Sequence, residues 1–464
     1  MKFRIKLFFV FLFFGLPLVA QNIQKPNIII ILTDDQGYQD VGFNGSLDIK
    51  TPHIDRIAEN GVKFTNGYVS YAVCGPSRAG LITGRYQDRF GFGRNPLFAP
   101  KDALQGLPLS EQTISEVLKK QGYVNMAVGK WHLGAHRSQR PLKRGFDEFF
   151  GFLSGGHKYF PKELIKKNIS ELTSQFDAYN TKLLRNNQRI EETEYLTDAF
   201  SREAVNFVER NKDQPFFLYL AYNAPHTPLQ ATQKYLDRYP TIKNEKRKSY
   251  AAMISAVDDG VGNLMNKLEA LKISENTLIF FLSDNGGVRN SAANNGNLKA
   301  GKGSLFEGGI RVPFAMQWPS VISKGQVYPK PVISLDIFAT VIAQINAPSK
   351  NTLDGVNIIP YLNGNRTEAP HKALYWKKID QGAFAIREGD IKLVKMKETA
   401  ALYNLSKDIS EKNKLLNKNK RVNELMNAFQ VWNDSTIPAV FFGLRQNDTY
   451  NTQHPNRFKK LEKY

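Results

Sequence analysis

Four unbroken apolar runs constrain this chain more than any other feature: residues 26–33 (PNIIIILT), 125–129, 216–221 and 278–283. A strand with one wet face alternates apolar and polar residues. A continuous run is buried on both faces, as in a parallel sheet covered by helices. Helical patterns lie between the runs. Ile114, Val117 and Leu118 follow a cap at Ser110 and stop at Gly122, with Lys119 and Lys120 in the last turn. A second helix is predicted over residues 249–271, with Met253, Ala256, Val257, Val261, Leu264 and Leu268 on one face. This alternation predicts the α/β class with a mostly parallel central sheet, whose ligands gather at the carboxyl ends of the strands.

After residue 365 the texture changes to short alternating segments, 373–376, 383–387 and 392–395, joined by polar turns. A Lys- and Asn-rich stretch and a helix near 422–432 follow. These predict a small antiparallel sheet with one helix on it. The division is therefore a main domain over 21–365 and an α+β subdomain over 366–464, whose basic end (434–464) is a tail or a lid.

The remaining 20 residues form a leader: Lys2, Arg4 and Lys6, an apolar run from Leu7 to Leu16, then Leu18-Val19-Ala20 before Gln21. That is the layout of a cleaved secretory signal, and Gly15 and Pro17 interrupt the run as a membrane anchor would not. The expectation is an exported protein, periplasmic or secreted, with no stable membrane insertion. A mean hydropathy of −0.39 excludes a polytopic membrane protein, and a single cysteine excludes both an intramolecular disulfide and a cysteine-built zinc site. Lys and Arg outnumber Asp and Glu, 63 to 43, for a net charge of +20. Nucleic acid, a membrane surface or an extracellular polyanion such as a sulfated polysaccharide would each answer that charge. No nucleic-acid motif and no amphipathic basic helix supports the first two. A basic surface serving only solubility remains open on charge alone.

The first apolar run leads into Asp34-Asp35-Gln36-Gly37, and the last into Asp284-Asn285-Gly286-Gly287. Without a ligand these are turn or helix-capping residues. Brought together they are costly to hold unless a cation neutralises them. An all-oxygen donor set suits calcium or magnesium rather than zinc or iron. Asp258-Asp259 lies in mid-helix, where a packed or solvated face explains it.

The lone cysteine opens Cys74-Gly75-Pro76-Ser77-Arg78, followed by Ala-Gly-Leu-Ile-Thr-Gly84. Pro76 and the apolar residues after it place Cys74 at a helix N-terminus, where the dipole favours an anionic group. This stretch resembles the signature of the formylglycine-dependent (type I) sulfatases, within the alkaline-phosphatase-like superfamily. Residues 122–132 (GYVNMAVGKWH) resemble that family's second signature, with Asn125 where Ser or Thr is more usual. Asp34-Asp35-Gln-Gly, Ala224-Pro225-His226-Thr227-Pro228, Asp284-Asn285-Gly-Gly and the segment 301–313 fall in the family's order.

The resemblance implies an α/β/α sandwich and a sulfuric ester hydrolase, of the bacterial polysaccharide-degrading kind. It implies that Cys74 is oxidised to Cα-formylglycine by a formylglycine-generating or anaerobic sulfatase-maturing enzyme, and that the hydrate attacks sulfur. It implies Ca2+ held by Asp34, Asp35, Asp284 and Asn285, with the converted Cys74 as a further ligand. Arg78 would hydrogen-bond the diol, Lys130 and Lys302 would grip the sulfate oxygens, His226 would protonate the leaving alcohol, and His132 would act as base. His157 is a further candidate for substrate contact, and Arg94, Arg289 and Asn290 for lining the pocket. Glu307 and Arg311 are expected to buttress the Lys302 loop. The implied substrate is a sulfated carbohydrate, best an algal polysaccharide fragment such as ulvan, carrageenan or fucan. An arylsulfatase, a phosphonate or phosphate ester hydrolase of the same fold, and a non-catalytic polysaccharide-binding protein are the alternatives.

Overall fold

The computed structural model describes residues 25–458, so the leader expected over 1–20 lies outside the described residues. At its centre is a ten-stranded sheet. Across the sheet the strands run Gln326–Tyr328, Val62–Phe64, Phe314–Gln317, Thr277–Ser283, Asn27–Thr33, Phe216–Ala221, Val124–Lys130, Glu148–Phe152, Leu183–Arg185 and Gln188–Ile190. The five strands from Thr277–Ser283 to Glu148–Phe152 are mutually parallel. Antiparallel pairings flank them on both sides.

The four apolar runs are the four central strands, each starting and ending within one residue of its run. Their side chains alternate between two cores. Ile28, Ile30 and Leu32 face one, with the helices Cys74–Thr83, Ile114–Lys120 and Asp336–Gln344. Ile29 and Ile31 face the other, with Pro52–Glu59, Leu196–Arg210 and Glu245–Ala270. Both faces are covered, which is why these strands contain no polar alternation.

Two helix starts differ from expectation. Ile114–Lys120 is capped by Thr113 rather than Ser110, because Thr113 and Glu116 form a reciprocal capping box. The long helix begins at Glu245, where the Asn244 side chain accepts from the Arg247 amide. Its first turn is polar, so apolar periodicity did not reach it.

The C-terminal sheet has four antiparallel strands, Leu374–Lys378, Ala383–Glu388, Ile391–Met396 and Thr399–Asn404, with the helix Asn419–Asn433 on it. The fourth was not expected; its first two residues are exposed and only Ala401, Leu402 and Tyr403 carry the apolar signal. The tail closes back over the main domain. Ile437 N–H donates to Asp88 O, Val440 N–H to Gly91 O, and Phe441 packs edge-on to Phe92. Among the described residues no helix is long and apolar enough to cross a membrane.

Candidate active site

Every residue expected to do chemistry, apart from Cys74, Arg78 and Lys302, comes from the carboxyl end of one of the five parallel strands. Asp34 and Asp35 follow Asn27–Thr33, and Asp284 and Asn285 follow Thr277–Ser283. Lys130 ends its own strand and His132 stands two residues beyond it. His226 follows Phe216–Ala221, and His157 follows Glu148–Phe152. Asp35 and His132 have positive φ angles, 66° and 57°, unusual for residues other than Gly. Such backbone conformations cluster where a side chain must be aimed.

Cys74 is the first residue of the helix Cys74–Thr83, all of which is buried. Asp34, Cys74 and His226 each present one donor atom within 4.8 Å of the other two. Burial, partly offset by Lys130 and Lys302, pushes the Cys74 thiol up to about 11, so it is protonated and a poor nucleophile at neutral pH. One turn along, Arg78 is fully buried. Its Nε donates to Asp284 Oδ2 at 2.8 Å and its Nη1 to Lys130 O at 3.0 Å.

The carboxylates of Asp34, Asp35 and Asp284 also lie within 4.8 Å of one another. Three cations answer them: Arg78 on Asp284, Lys130 Nζ on Asp34 Oδ2 at 2.5 Å, and Lys302 Nζ on Asp35 Oδ1 at 2.7 Å. Burial opposes ionisation of Asp35, but Lys302, then His226 and Lys130, hold its carboxyl well below the usual range. Burial and the neighbouring Asp34 raise Asp284 instead. Two buried acceptors at the centre, Asp34 Oδ1 and Asn285 Oδ1, have no hydrogen-bond partner. Buried oxygens rarely go unpartnered, and an all-oxygen group of this kind is compatible with a hard divalent cation.

His226 Nδ1 lies 2.6 Å from Thr227 O, and its Nε2 faces Asp35 Oδ2 at 3.7 Å. Burial and Lys302 depress its pKa to about 3, against the pull of Asp35. His132 is lowered by burial first and then by Lys130, Arg78 and Lys302, and its Nδ1 is buried without a partner. A Cβ at Gly155 would lie 2.7 Å from His132 Nε2, so only glycine lets that loop cover the ring.

His157 is not brought to this centre. It is fully buried and stacked on Phe152 with ring centroids 4.5 Å apart, and burial depresses its pKa to about 4. Arg94 is held by Asp380 on the C-terminal sheet, and Arg289 and Asn290 are exposed. Asp258 Oδ1 caps the helix Pro52–Glu59 through the His53 and Ile54 amides, and Asp259 pairs with Arg238, so neither joins the carboxylate cluster.

The Lys302 loop is braced from the C-terminal sheet. Lys392 Nζ, fully buried, bridges Glu307 Oε1 at 2.8 Å and Glu411 Oε1 at 2.9 Å. Glu307 also accepts from Tyr68 and pairs with Arg311. Lys378 donates to Gly303 O, next to Lys302. Lys392, Glu411 and Lys378 went unnoticed in the sequence, where each reads as one more charge in a basic segment. Asn95, whose Oδ1 accepts from the Gly75 amide at 2.8 Å beside Cys74, was also missed.

Comparison with known proteins accords with this geometry. The family profile described as Sulfatase matches residues 26–347, and one described as N-sulphoglucosamine sulphohydrolase, C-terminal, matches 301–431. N-acetylgalactosamine-6-sulfatase of Homo sapiens is 35% identical over 389 residues, covering 76% of this chain and 72% of that protein. The crystal structure of Ps i-CgsB is 42% identical with a TM-score of 0.86, covering 94% of this chain and 100% of that one. Ps i-CgsB in complex with k-i-k-neocarrahexaose matches with the same TM-score of 0.86, identity of 42% and coverages of 94% and 100%.

Proposed function

The chain belongs to the sulfatase family, and from that premise we propose that it is an exported enzyme that removes a sulfate ester from an algal galactan fragment of the carrageenan kind. The observation that carries the chemistry is the placement of Cys74: at a buried helix N-terminus, its Sγ within 4.8 Å of donor atoms of Asp34 and His226, in the field of Arg78, Lys130 and Lys302. The galactan is supported by the neocarrahexaose complex of the 42% identical structure and by the strongly basic balance, which stays at +17 once the three cations of the leader are removed from +20.

As a thiol, Cys74 is held protonated and would leave no second hydroxyl with which to expel sulfate. Conversion to formylglycine by a maturing enzyme supplies a geminal diol at the same position. A calcium ion held by Asp34, Asp35, Asp284 and Asn285 would supply Lewis-acid polarisation of a sulfate oxygen. Lys130 and Lys302 are paired with the carboxylates that the cation would neutralise. That neutralisation leaves both ammonium groups able to bind the sulfate oxygens and to stabilise charge as the ester breaks. Arg78, gripped by Asp284 and the Lys130 carbonyl, has its guanidinium fixed beside Asp34, one turn from Cys74.

His226 has to carry a proton on Nε2 to serve the departing alcohol. In the free site Lys302 and burial keep it neutral, with Nδ1 directed at Thr227 O. The negative charge of an arriving sulfate ester opposes the Lys302 field and favours the protonated ring, which ties proton donation to substrate binding. His132, kept neutral by burial and by the surrounding cations, is suited to accept a proton.

Peptide mass spectrometry across Cys74, on protein coexpressed with a formylglycine-generating enzyme, tests the assignment. Conversion of the thiol to an aldehyde or its hydrate, with turnover of sulfate esters well above phosphonate esters, is the expected result. An unmodified Cys74 in active protein would overturn it.

A further inference from the structure

A cavity of about 410 Å3 lies between the C-terminal tail and the loop that leads away from Cys74. Ala99, Lys101 and Asp102 form one wall, and Tyr450, Gln453, His454 and Asn456 contribute to the other. None of these residues takes part in the chemistry described above.

The cavity is joined to the reaction centre by a short piece of chain. Asn95 and Pro96 contact Gly75, the residue after Cys74. Pro96, Leu97 and Phe98 border a small cleft with His132, Ser154 and Gly155. Ala99 then opens the larger cavity, three residues beyond Pro96, so the two Cα atoms are at most about 11 Å apart.

The tail is built to hold this wall in place. Arg457, buried, donates from Nε and Nη2 to Phe98 O at 3.1 and 3.0 Å, and from Nη1 to Asn447 and Asn451 at 2.9 Å. Tyr450 OH donates to Asp102 Oδ2 at 2.9 Å. His454 stacks on Tyr450 with centroids 4.1 Å apart and is itself exposed, as are Gln453 and Asn456.

The exposed amides of Gln453 and Asn456 and the exposed imidazole of His454 suit a ligand whose hydroxyls both donate and accept and whose ring has an apolar face. We propose that the cavity is a carbohydrate subsite, which seats a neighbouring sugar residue of the glycan whose sulfate lies at Cys74. This rests on the reading of the protein as a sulfatase of polymeric glycans, and it makes the tail a part of substrate recognition.

The test is calorimetric binding of a sulfated carrageenan hexasaccharide and of inorganic sulfate to the full-length protein, in the wild type and in His454→Ala and Asn456→Ala. Both positions are exposed, and an unchanged Tm verifies the fold. The expected result is a roughly tenfold fall in the ratio of hexasaccharide to sulfate affinity in either variant, equivalent to about 1.4 kcal/mol. Variants that bind the hexasaccharide as the wild type does, or a wild type that does not bind it, overturn the subsite. Hydrolysis of 4-nitrophenyl sulfate by the matured wild type reads the sulfatase assignment separately, because that substrate has no second sugar.

Discussion

Lys130 Nζ lies 2.5 Å from Asp34 Oδ2, with both side chains fully buried. The two residues end strands that are not neighbours, since Phe216–Ala221 runs between them. Their ion pair therefore spans the top of the sheet. Replacing Lys130 by Ala leaves Arg78 Nη2, 3.8 Å away, as the ion-pair partner of Asp34 among the described residues. The metal-free variant should lose about 3–5 kcal/mol of stability, the typical cost of an orphaned buried charge. Calcium should recover more Tm in the variant than in the wild type, and turnover should fall by about 10²–10³-fold. Thermal melts with and without calcium, alongside kcat, check both.

Cys74→Ala should abolish sulfate ester hydrolysis while leaving the fold and the carboxylate cluster's cation affinity largely intact. Asp284→Asn should lose both, since Asp284 is one of the three clustered carboxylates and the partner of Arg78. Calorimetric titration with calcium separates the two variants. Loss of calcium binding in Cys74→Ala would place the thiol position among essential ligands.

His226→Ala should slow substrates with poor leaving groups by about 10²–10⁴-fold, and activated aryl sulfates far less, because only the former need a proton. Comparing kcat/KM for a sulfated sugar and for 4-nitrophenyl sulfate measures this. Equal losses on both would argue that His226 is not the acid.

Lys392→Met should destabilise the protein by about 3–5 kcal/mol, because Glu307 and Glu411 would be left buried without their shared cation. Adding Glu411→Gln should restore part of that. The single variant should also raise KM, since the Lys302 loop runs into the Glu307 helix. Melting temperatures of the single and double variants, with KM on a sulfated substrate, test the brace.

His371 Nε2 pairs with Asp336 Oδ1 at 2.8 Å. Burial opposes the charged ring, but Asp336 outweighs it and raises the pKa above the usual His value. Protonation is then favoured in the fold, so this contribution is complete below about pH 6.5 and is lost as pH rises through the folded value. The Tm difference between wild type and His371→Gln should be on the order of 1 °C in mild acid and shrink at alkaline pH. A difference independent of pH would mean that the pair is not charged.

Much of the fold was legible because a strand buried on both faces leaves an unbroken apolar run, and four of the five parallel strands leave one. Short or half-exposed elements were not. Thr399–Asn404 carries only three buried residues, and the Thr113 cap depends on a reciprocal bond with Glu116 that Ser110 cannot make. At the site, Asp34, Asp35, Cys74, Arg78, Lys130, His226, Asp284, Asn285 and Lys302 were all visible as motif residues, and the structure gathers them. His157 looked equivalent in sequence, but its side chain turns into the core against Phe152.

The sequence by itself determined which segments enter the sheet and which reactive side chains stand at their ends, because burial pattern and local motif are short-range properties. Only the tertiary structure decided how the charges are balanced. Asp34 is answered from 96 residues away by Lys130, Asp35 from 267 away by Lys302, and Glu307 from 85 away by Lys392. Motifs mark Lys130 and Lys302 and nothing marks Lys392, but no motif names the carboxylate each one meets once the parallel strands and the C-terminal sheet exclude water around it. A buried charge then has to be met by whichever opposite charge the fold brings within reach.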